Sequence, residues 1–122
     1  MQTTELFDPT PSEDTPIACD LSVLDDPERH KEQFERLFEK RVEVRKVKGG
    51  LAVRFPGETR FAEQALEFVG RERQCCPFLT FQIAIAPEGR GVWLYMGGDE
   101  QVEDYITSAF DRAWLEDGAN SP

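Results

Sequence analysis

Apolar and polar residues alternate along five short stretches of this chain. Each alternation predicts a β-strand, because successive side chains of a strand point to opposite faces. In the first stretch Ile17, Cys19 and Leu21 would share one face. Gly49 and Gly50 separate the second stretch from the third and predict a hairpin turn there. The five stretches are residues 16–21, 42–47, 51–55, 79–85 and 92–96.

Three other segments have the apolar spacing of an amphipathic helix. An Asp cap followed by Pro at the first helical position predicts a helix over about residues 27–40. The second predicted helix covers residues 59–76 and ends before Pro77, since the residue before a proline disfavours the helical conformation. The third helix follows Asp99, which is its predicted cap.

The predicted order of elements is β-α-β-β-α-β-β-α, which indicates the α+β class. Its first six elements match a ferredoxin-like split βαβ unit. We therefore expect an antiparallel sheet with helices on one face, an extra strand added at the sheet edge by a hairpin, and a C-terminal helix. We expect residues 16–117 to form this single domain, between a disordered acidic tail at 1–15 and a short C-terminal tail at 118–122.

The net charge of −10 is concentrated near the N-terminus. The first 26 residues carry seven acidic side chains and no Lys or Arg, whereas the remainder carries 17 acidic and 14 basic residues. A surface with this charge repels phosphate backbones, and nucleic-acid binding normally needs a basic face. The sequence therefore predicts no DNA or RNA partner.

Hydropathy and cysteine content bear on where the protein acts. No apolar run approaches the roughly 18 residues of a membrane-spanning helix. The N-terminus has neither the basic start nor the apolar core of a secretory signal. These features predict a soluble, cytoplasmic protein with no membrane partner. The chain has three cysteines, an odd number, which in a domain of this size argues for reduced thiols rather than a disulfide scaffold.

Two of the cysteines, Cys75 and Cys76, are adjacent at the end of the second predicted helix. They can be packed as small apolar side chains, form a redox pair, or bind a soft metal ion. The position of Cys19 bears on the choice among these three roles. In a ferredoxin-like sheet the end of the first strand, where Cys19 lies, is beside the start of the strand that follows Cys76. The topology therefore predicts that all three thiols lie at one end of the sheet.

Glu72 lies on the apolar face of the second predicted helix, one turn before both cysteines. A buried carboxylate needs a partner or must take up a proton. We expect Glu72 to be substantially buried and bonded to an Arg or to backbone amides, or else protonated. Arg73 lies at the margin of the same face, where its guanidinium can offset the charge of the thiolates.

The segment E-R-Q-C-C-P-F-L-T-F, residues 72–81, resembles the hallmark of a group of small bacterial proteins with an E-R-x-C-C-P-F signature. The likeness extends over about residues 16–115 and excludes the acidic tail. It implies a link to heavy-metal or arsenic resistance and does not establish an activity. The positions that the resemblance singles out are Cys19, Glu72, Arg73, Cys75, Cys76 and Phe78.

These features predict a small binding module for a soft metal or metalloid ion, such as Zn, Hg or As, with Cys19, Cys75 and Cys76 as ligands. Two alternatives remain open. One is an interaction or regulatory domain whose cysteines are merely packed. The other is a thiol redox protein or sensor, in which Cys19 and one of the adjacent pair cycle between dithiol and disulfide. The supporting residues are Glu72, Arg73 and Phe78.

His30, the only histidine, is expected to be solvated on the first helix and distant from the cysteines, so no Cys–His nucleophilic pair is predicted. Binding is favoured over catalysis, although the sequence does not decide the question.

Trp93 and Tyr95 alternate with apolar residues and should face away from the helices, which predicts a homodimer or a protein partner on that face.

Overall fold

Residues 15–110 are described by a computed structural model, in which three helices pack on one face of a four-stranded antiparallel sheet. The α+β class and the antiparallel sheet predicted from sequence are confirmed. The predicted acidic tail up to residue 14, the end of the predicted domain and the C-terminal tail at 118–122 lie outside the described residues.

The helices begin and end where short-range chemistry dictates. The side chain of Asp26 accepts a hydrogen bond from the backbone N–H of Arg29 and caps the first helix. The second helix ends two residues before Pro77, and Asp99 caps the third through the N–H of Val102. The helices are α1 (Pro27–Phe38), α2 (Thr59–Cys75) and α3 (Glu100–Phe110).

The sheet has the order β1-β2-β4-β3, with every neighbouring pair antiparallel. Gly49 makes the β1–β2 turn with a φ of 90°, a conformation that glycine adopts without the strain of a side chain. Val53 and Leu94 face the helices and are fully buried, whereas Trp93 on the opposite face is half-buried. The strands are β1 (Glu43–Val47), β2 (Gly50–Phe55), β3 (Thr80–Ile85) and β4 (Val92–Gly97).

The main core fills the space between the sheet and the helices. Aromatic rings dominate its centre, where Phe38 lies edge-on to both Phe55 and Phe68 at centroid distances of 5.4 Å and 5.1 Å. A smaller apolar cluster packs at the C-terminal end of α2. The buried members of this second cluster are Leu24, Cys75, Cys76, Phe78 and Val102.

The strand predicted over residues 16–21 is wrong. This segment is irregular and leads into a single 3-10 turn, Leu21–Val23. Asp20 accounts for the departure, because its carboxylate accepts hydrogen bonds from the backbone N–H and the hydroxyl of Ser22 and thereby caps the turn. The alternating residues do not share one buried face, because Ile17 packs on the second cluster whereas Leu21 is 49% exposed.

The prediction that the extra strand lies at the sheet edge is also wrong. The strand β4 is central and pairs with β2 on one side and with β3 on the other. The edges are β1 and β3. Because the first predicted strand is absent from the sheet, β4 takes the place between β2 and β3 that the ferredoxin-like arrangement assigned to residues 16–21.

Within residues 15–110, none of the helices is both long enough and apolar enough to cross a membrane.

Candidate functional site: a cluster of cysteine, glutamate and histidine

A disulfide joins Cys19 to Cys76, which are 57 positions apart in sequence and 4.5 Å apart at their Cα atoms. Beside it the backbone N–H of Asp20 donates a 2.8 Å hydrogen bond to the carbonyl oxygen of Cys75. The two halves of the disulfide differ in environment, since Cys19 is exposed and Cys76 is 1% exposed. The expectation of reduced thiols is therefore wrong for these two residues, and the expectation that Cys19 meets the adjacent pair is confirmed.

Cys75 is a buried free thiol next to this disulfide. Its Sγ lies 3.7 Å from the Sγ of Cys76 and 3.8 Å from Oε1 of Glu72. Burial, together with the negative charge of Glu72, raises the pKa of the Cys75 thiol to about 11. At neutral pH the thiol is protonated, and a protonated thiol is a weak nucleophile.

Glu72 is the central side chain of the site, with 16% of its side chain exposed. Its Oε1 accepts a 2.7 Å hydrogen bond from Nε2 of His30, and its Oε2 lies 3.4 Å from the Sγ of Cys76. Cys76 carries no S–H proton in the disulfide, so the second approach is a contact and not a hydrogen bond. The predicted burial of Glu72 is confirmed, but its partner is a histidine instead of an Arg or a backbone amide.

The expectation that His30 is solvated and distant from the cysteines is wrong, because only 4% of this residue is exposed and its ring lies within 4.8 Å of the Sγ of Cys75. Its ring stacks on Phe68 at a centroid distance of 5.6 Å and an interplanar angle of 8°. On its other side Nε of Arg71 donates a 3.3 Å hydrogen bond to Nδ1. Since a guanidinium only donates, Nδ1 accepts, and the ring proton therefore lies on Nε2 and points at Glu72.

The sequence contained a signal for the burial of His30. Positions i, i+4, i+7 and i+8 share one face of a helix. With His30 as position i, the other three are Phe34, Leu37 and Phe38, all apolar. A histidine on such a face is either a satisfied core residue or part of a site, and the sequence did not name its partner.

The other two supporting residues have different surroundings. Phe78 is buried in the second cluster and packs edge-on against Tyr105 at 5.1 Å. The hydroxyl of Tyr105 donates a 3.3 Å hydrogen bond to the Sγ of Cys19, so Phe78 supports the aromatic wall beside the disulfide. Arg73 is exposed, and within the described part of the chain no hydrogen bond or ion pair joins it to Glu72 or to the sulfurs.

Two sets of three potential metal ligands meet at Glu72. In the first set the donor atoms belong to Cys19, Glu72 and Cys76, and in the second to His30, Glu72 and Cys75. Within each set these atoms lie within 4.8 Å of one another. The first set is closed to an ion while its two sulfurs are bonded to each other, whereas the second set is independent of the disulfide.

A cavity of about 190 Å³ that is open to the surface borders this cluster. His30 and Glu72 form its polar part, and the remaining wall is largely apolar. The other lining residues are Leu21, Lys31, Phe34 and Phe110.

No protein-family model, curated protein or solved structure matches this chain.

Proposed function

We propose that this protein is a thiol-based module that binds a soft metal or metalloid ion through Cys19, Cys75 and Cys76 when the Cys19–Cys76 disulfide is reduced. The observation that carries the proposal is the convergence of three sulfurs from two distant parts of the chain. A tetrahedral ion with bonds of about 2.3 Å to sulfur holds its sulfur ligands about 3.8 Å apart. The 3.7 Å between the sulfurs of Cys75 and Cys76 matches this spacing.

The backbone around the disulfide supports a site that persists after reduction. The hydrogen bond from Asp20 N–H to the Cys75 carbonyl does not depend on the sulfur–sulfur bond. It holds the chain at Cys19 against the end of α2, so that a reduced Cys19 thiol remains close to its two partners. The hydroxyl of Tyr105 adds a second contact to the same sulfur.

The charges of the site favour ion binding over nucleophilic catalysis. Burial is the largest cause of the raised pKa of the Cys75 thiol, and the negative charges of Glu72 and Asp20 add to it, which keeps the free thiol unreactive. A bound cation supplies the positive charge that this surrounding lacks, and it stabilises the deprotonated sulfur directly. Soft ions such as Zn(II), Hg(II) and As(III) are the ions that sulfur donors select.

Reversible thiol–disulfide chemistry is a second candidate, favoured by the disulfide itself. Cys19 is its exposed half, so an external dithiol is expected to attack the sulfur of Cys19. That step forms a mixed disulfide and releases Cys76 as a thiolate, which takes a proton. The second thiol of the reductant then attacks the mixed disulfide, releases Cys19, and leaves as an oxidised dithiol after a two-electron transfer.

Titration of the reduced 122-residue chain with Zn(II), Hg(II) and As(III) tests the first proposal. We expect one tightly bound ion per chain, and loss of this binding in a Cys75→Ser/Cys76→Ser double variant. Gln74→Ala is a matched control, because it changes an exposed residue on the same helical turn and removes no sulfur. Equal affinity in the double variant and the parent would contradict the proposal.

The same preparation distinguishes the redox candidate from packed cysteines. Mild peroxide treatment of the reduced protein, followed by alkylation, should leave one thiol that can be alkylated if Cys19 and Cys76 rejoin. Three alkylated thiols after oxidation would contradict a redox role. A merely packed set of cysteines predicts neither ion binding nor reversible oxidation.

The predicted partner face is a separate proposal. Trp93 and Tyr95 lie on the sheet face opposite the helices, and the guanidiniums of Arg45 and Arg54 lie over the Trp93 ring at 5.3 Å and 5.7 Å. We propose a homodimer or protein contact there, with no nucleic acid bound. Sedimentation of the parent and of Trp93→Ala tests it, and two identical monomer profiles would contradict the homodimer.

A further inference from the structure

His30, Glu72 and Cys75 bring one nitrogen, one oxygen and one sulfur donor together at a place that the disulfide does not occupy. The Nε2 of His30 lies 2.7 Å from Oε1 of Glu72, and the Sγ of Cys75 lies 3.8 Å from the same oxygen. The three donor atoms are all within 4.8 Å of one another. Glu72 and Cys75 share one face of α2 at a spacing of three residues, and α1 supplies His30 from across the helix pair.

We propose that these three side chains form a second ion site, for a borderline divalent cation such as Zn²⁺, which is complete while the Cys19–Cys76 disulfide is intact. Imidazole, carboxylate and thiolate are the three ligand types that Zn²⁺ takes in proteins. Three protein ligands leave a fourth position for water or a small ligand, as in zinc sites that are not purely structural.

The distances fit this cation after small side-chain movements. Bonds of about 2.0–2.3 Å in a tetrahedral arrangement place donor atoms about 3.3–3.8 Å apart. The 3.8 Å between Cys75 and Glu72 already lies in that range, and the 2.7 Å between His30 and Glu72 must open by roughly half an ångström. The ion replaces the hydrogen bond between these two side chains, and the thiol of Cys75 releases its proton to solvent.

Arg71 lowers the affinity of this site for the ion, and a variant of Arg71 can test this effect. Its Nε donates to Nδ1 of His30 and so keeps the ring proton on Nε2, the atom that must bind the ion. Ion binding moves that proton to Nδ1, where it faces the guanidinium. Removal of the Arg71 side chain should therefore raise the affinity, an effect that loss of a merely structural contact would not produce.

The cavity beside the cluster gives the ion a route. Its wall includes His30 and Glu72, so a hydrated cation reaches two of the three ligands without unfolding of the helix pair. Water from this cavity of about 190 Å³ can fill the fourth ligand position.

This site goes beyond the three-thiol site and shares only Cys75 with it. The two are separated by the redox state of the protein, because the three-thiol site requires reduction and the second site does not. Reduced-chain binding that Cys19→Ser leaves unchanged therefore counts against the three-thiol site and not against the second site, whereas failure of binding in the oxidised chain leaves the first proposal intact.

The oxidised 122-residue chain is titrated with Co(II) and then with Zn(II), after its single free thiol has been confirmed by the mass of an alkylated sample. We expect one Co(II) per chain with a thiolate-to-cobalt charge-transfer band, and displacement of that band by Zn(II). Cys75→Ser should abolish the band, and His30→Gln should weaken binding at least tenfold. Arg71→Ala should bind more tightly than the parent.

Two results would overturn the proposal. One is an oxidised parent protein that binds no Co(II) and shows no thiolate band. The other is binding that is unchanged in both Cys75→Ser and His30→Gln. If a ligand variant fails to fold, Arg71→Ala remains decisive, because this residue is only half-buried and lies outside the ligand set. Unchanged or weaker Co(II) binding by Arg71→Ala would be a third result that overturns the proposal.

Discussion

His30 on α1 donates a 2.7 Å hydrogen bond to Glu72 on α2, although the two residues are 42 positions apart in sequence. The bond ties the two helices together at the point where the second helix approaches its cysteines. It also fixes the orientation of the carboxylate that faces both Cys75 and Cys76. The pair of His30 and Glu72 therefore both joins the two helices and positions the carboxylate beside the cysteines.

Removal of His30 should destabilise the protein more than removal of an ordinary polar group. His30→Ala loses the stack on Phe68 and leaves the carboxylate of Glu72 without its partner. We expect a loss of about 2–4 kcal/mol in the free energy of unfolding, measured by urea titration. His30→Gln, which retains a donor, should lose less. Equal stability of the parent and His30→Ala would contradict this role.

The disulfide between Cys19 and Cys76 should make a large contribution to stability. Cross-linking residues 57 positions apart restricts the unfolded chain and is worth about 4 kcal/mol on the chain-entropy account. Unfolding of the oxidised protein, compared with Cys19→Ser, measures this contribution. Cys75→Ser is the matched control, since it removes a sulfur and leaves the disulfide intact. A Cys19→Ser protein as stable as the oxidised parent would contradict the prediction.

The sequence predicted those features that short-range chemistry decides. The Asp26 cap, the glycine turn at Gly49 and the end of α2 before Pro77 are all confirmed. The strand over residues 16–21 was wrong because Ile17 packs on the cluster at the end of α2 and Cys19 forms a disulfide there, so neither side chain lies on a sheet. Local pattern carries no information on such long-range contacts.

The local pattern also could not predict the central position of β4, since that position depends on pairing with β2 and β3 at the same time. For the site, helical periodicity correctly placed Glu72 on a buried face. It could not identify His30 as its partner, because that choice depends on how α1 and α2 pack. The convergence of the three cysteines was predicted correctly, although the strand that the prediction relied on does not exist.

Cys75 should titrate well above an ordinary thiol in the oxidised, ion-free protein. Burial and the charge of Glu72 raise its pKa from 9.0 to about 11. We expect the ultraviolet absorbance of the thiolate to rise with a midpoint near that value, with Cys75→Ser as the blank. In Glu72→Gln the midpoint should fall, because the nearby negative charge is gone. A midpoint at the ordinary value in the folded parent would contradict this account.

The same pKa has a consequence for stability at high pH. The folded state favours the neutral thiol, so its contribution is fully present below the unfolded pKa of 9.0 and is lost as pH rises through about 11. The parent should therefore lose more stability over this interval than Cys75→Ser. Urea titrations of the two proteins at neutral and alkaline pH measure the difference, and parallel losses would contradict the prediction.

The number of sulfur atoms bound to the ion in the reduced protein tests the central claim most directly. X-ray absorption of the reduced chain loaded with one equivalent of Zn(II) reports that number and the bond lengths. The three-thiol site predicts three sulfur ligands at about 2.3 Å, falling to two in Cys19→Ser. An ion with no sulfur ligands, or a spectrum unchanged in the Cys75→Ser/Cys76→Ser variant, would contradict the account.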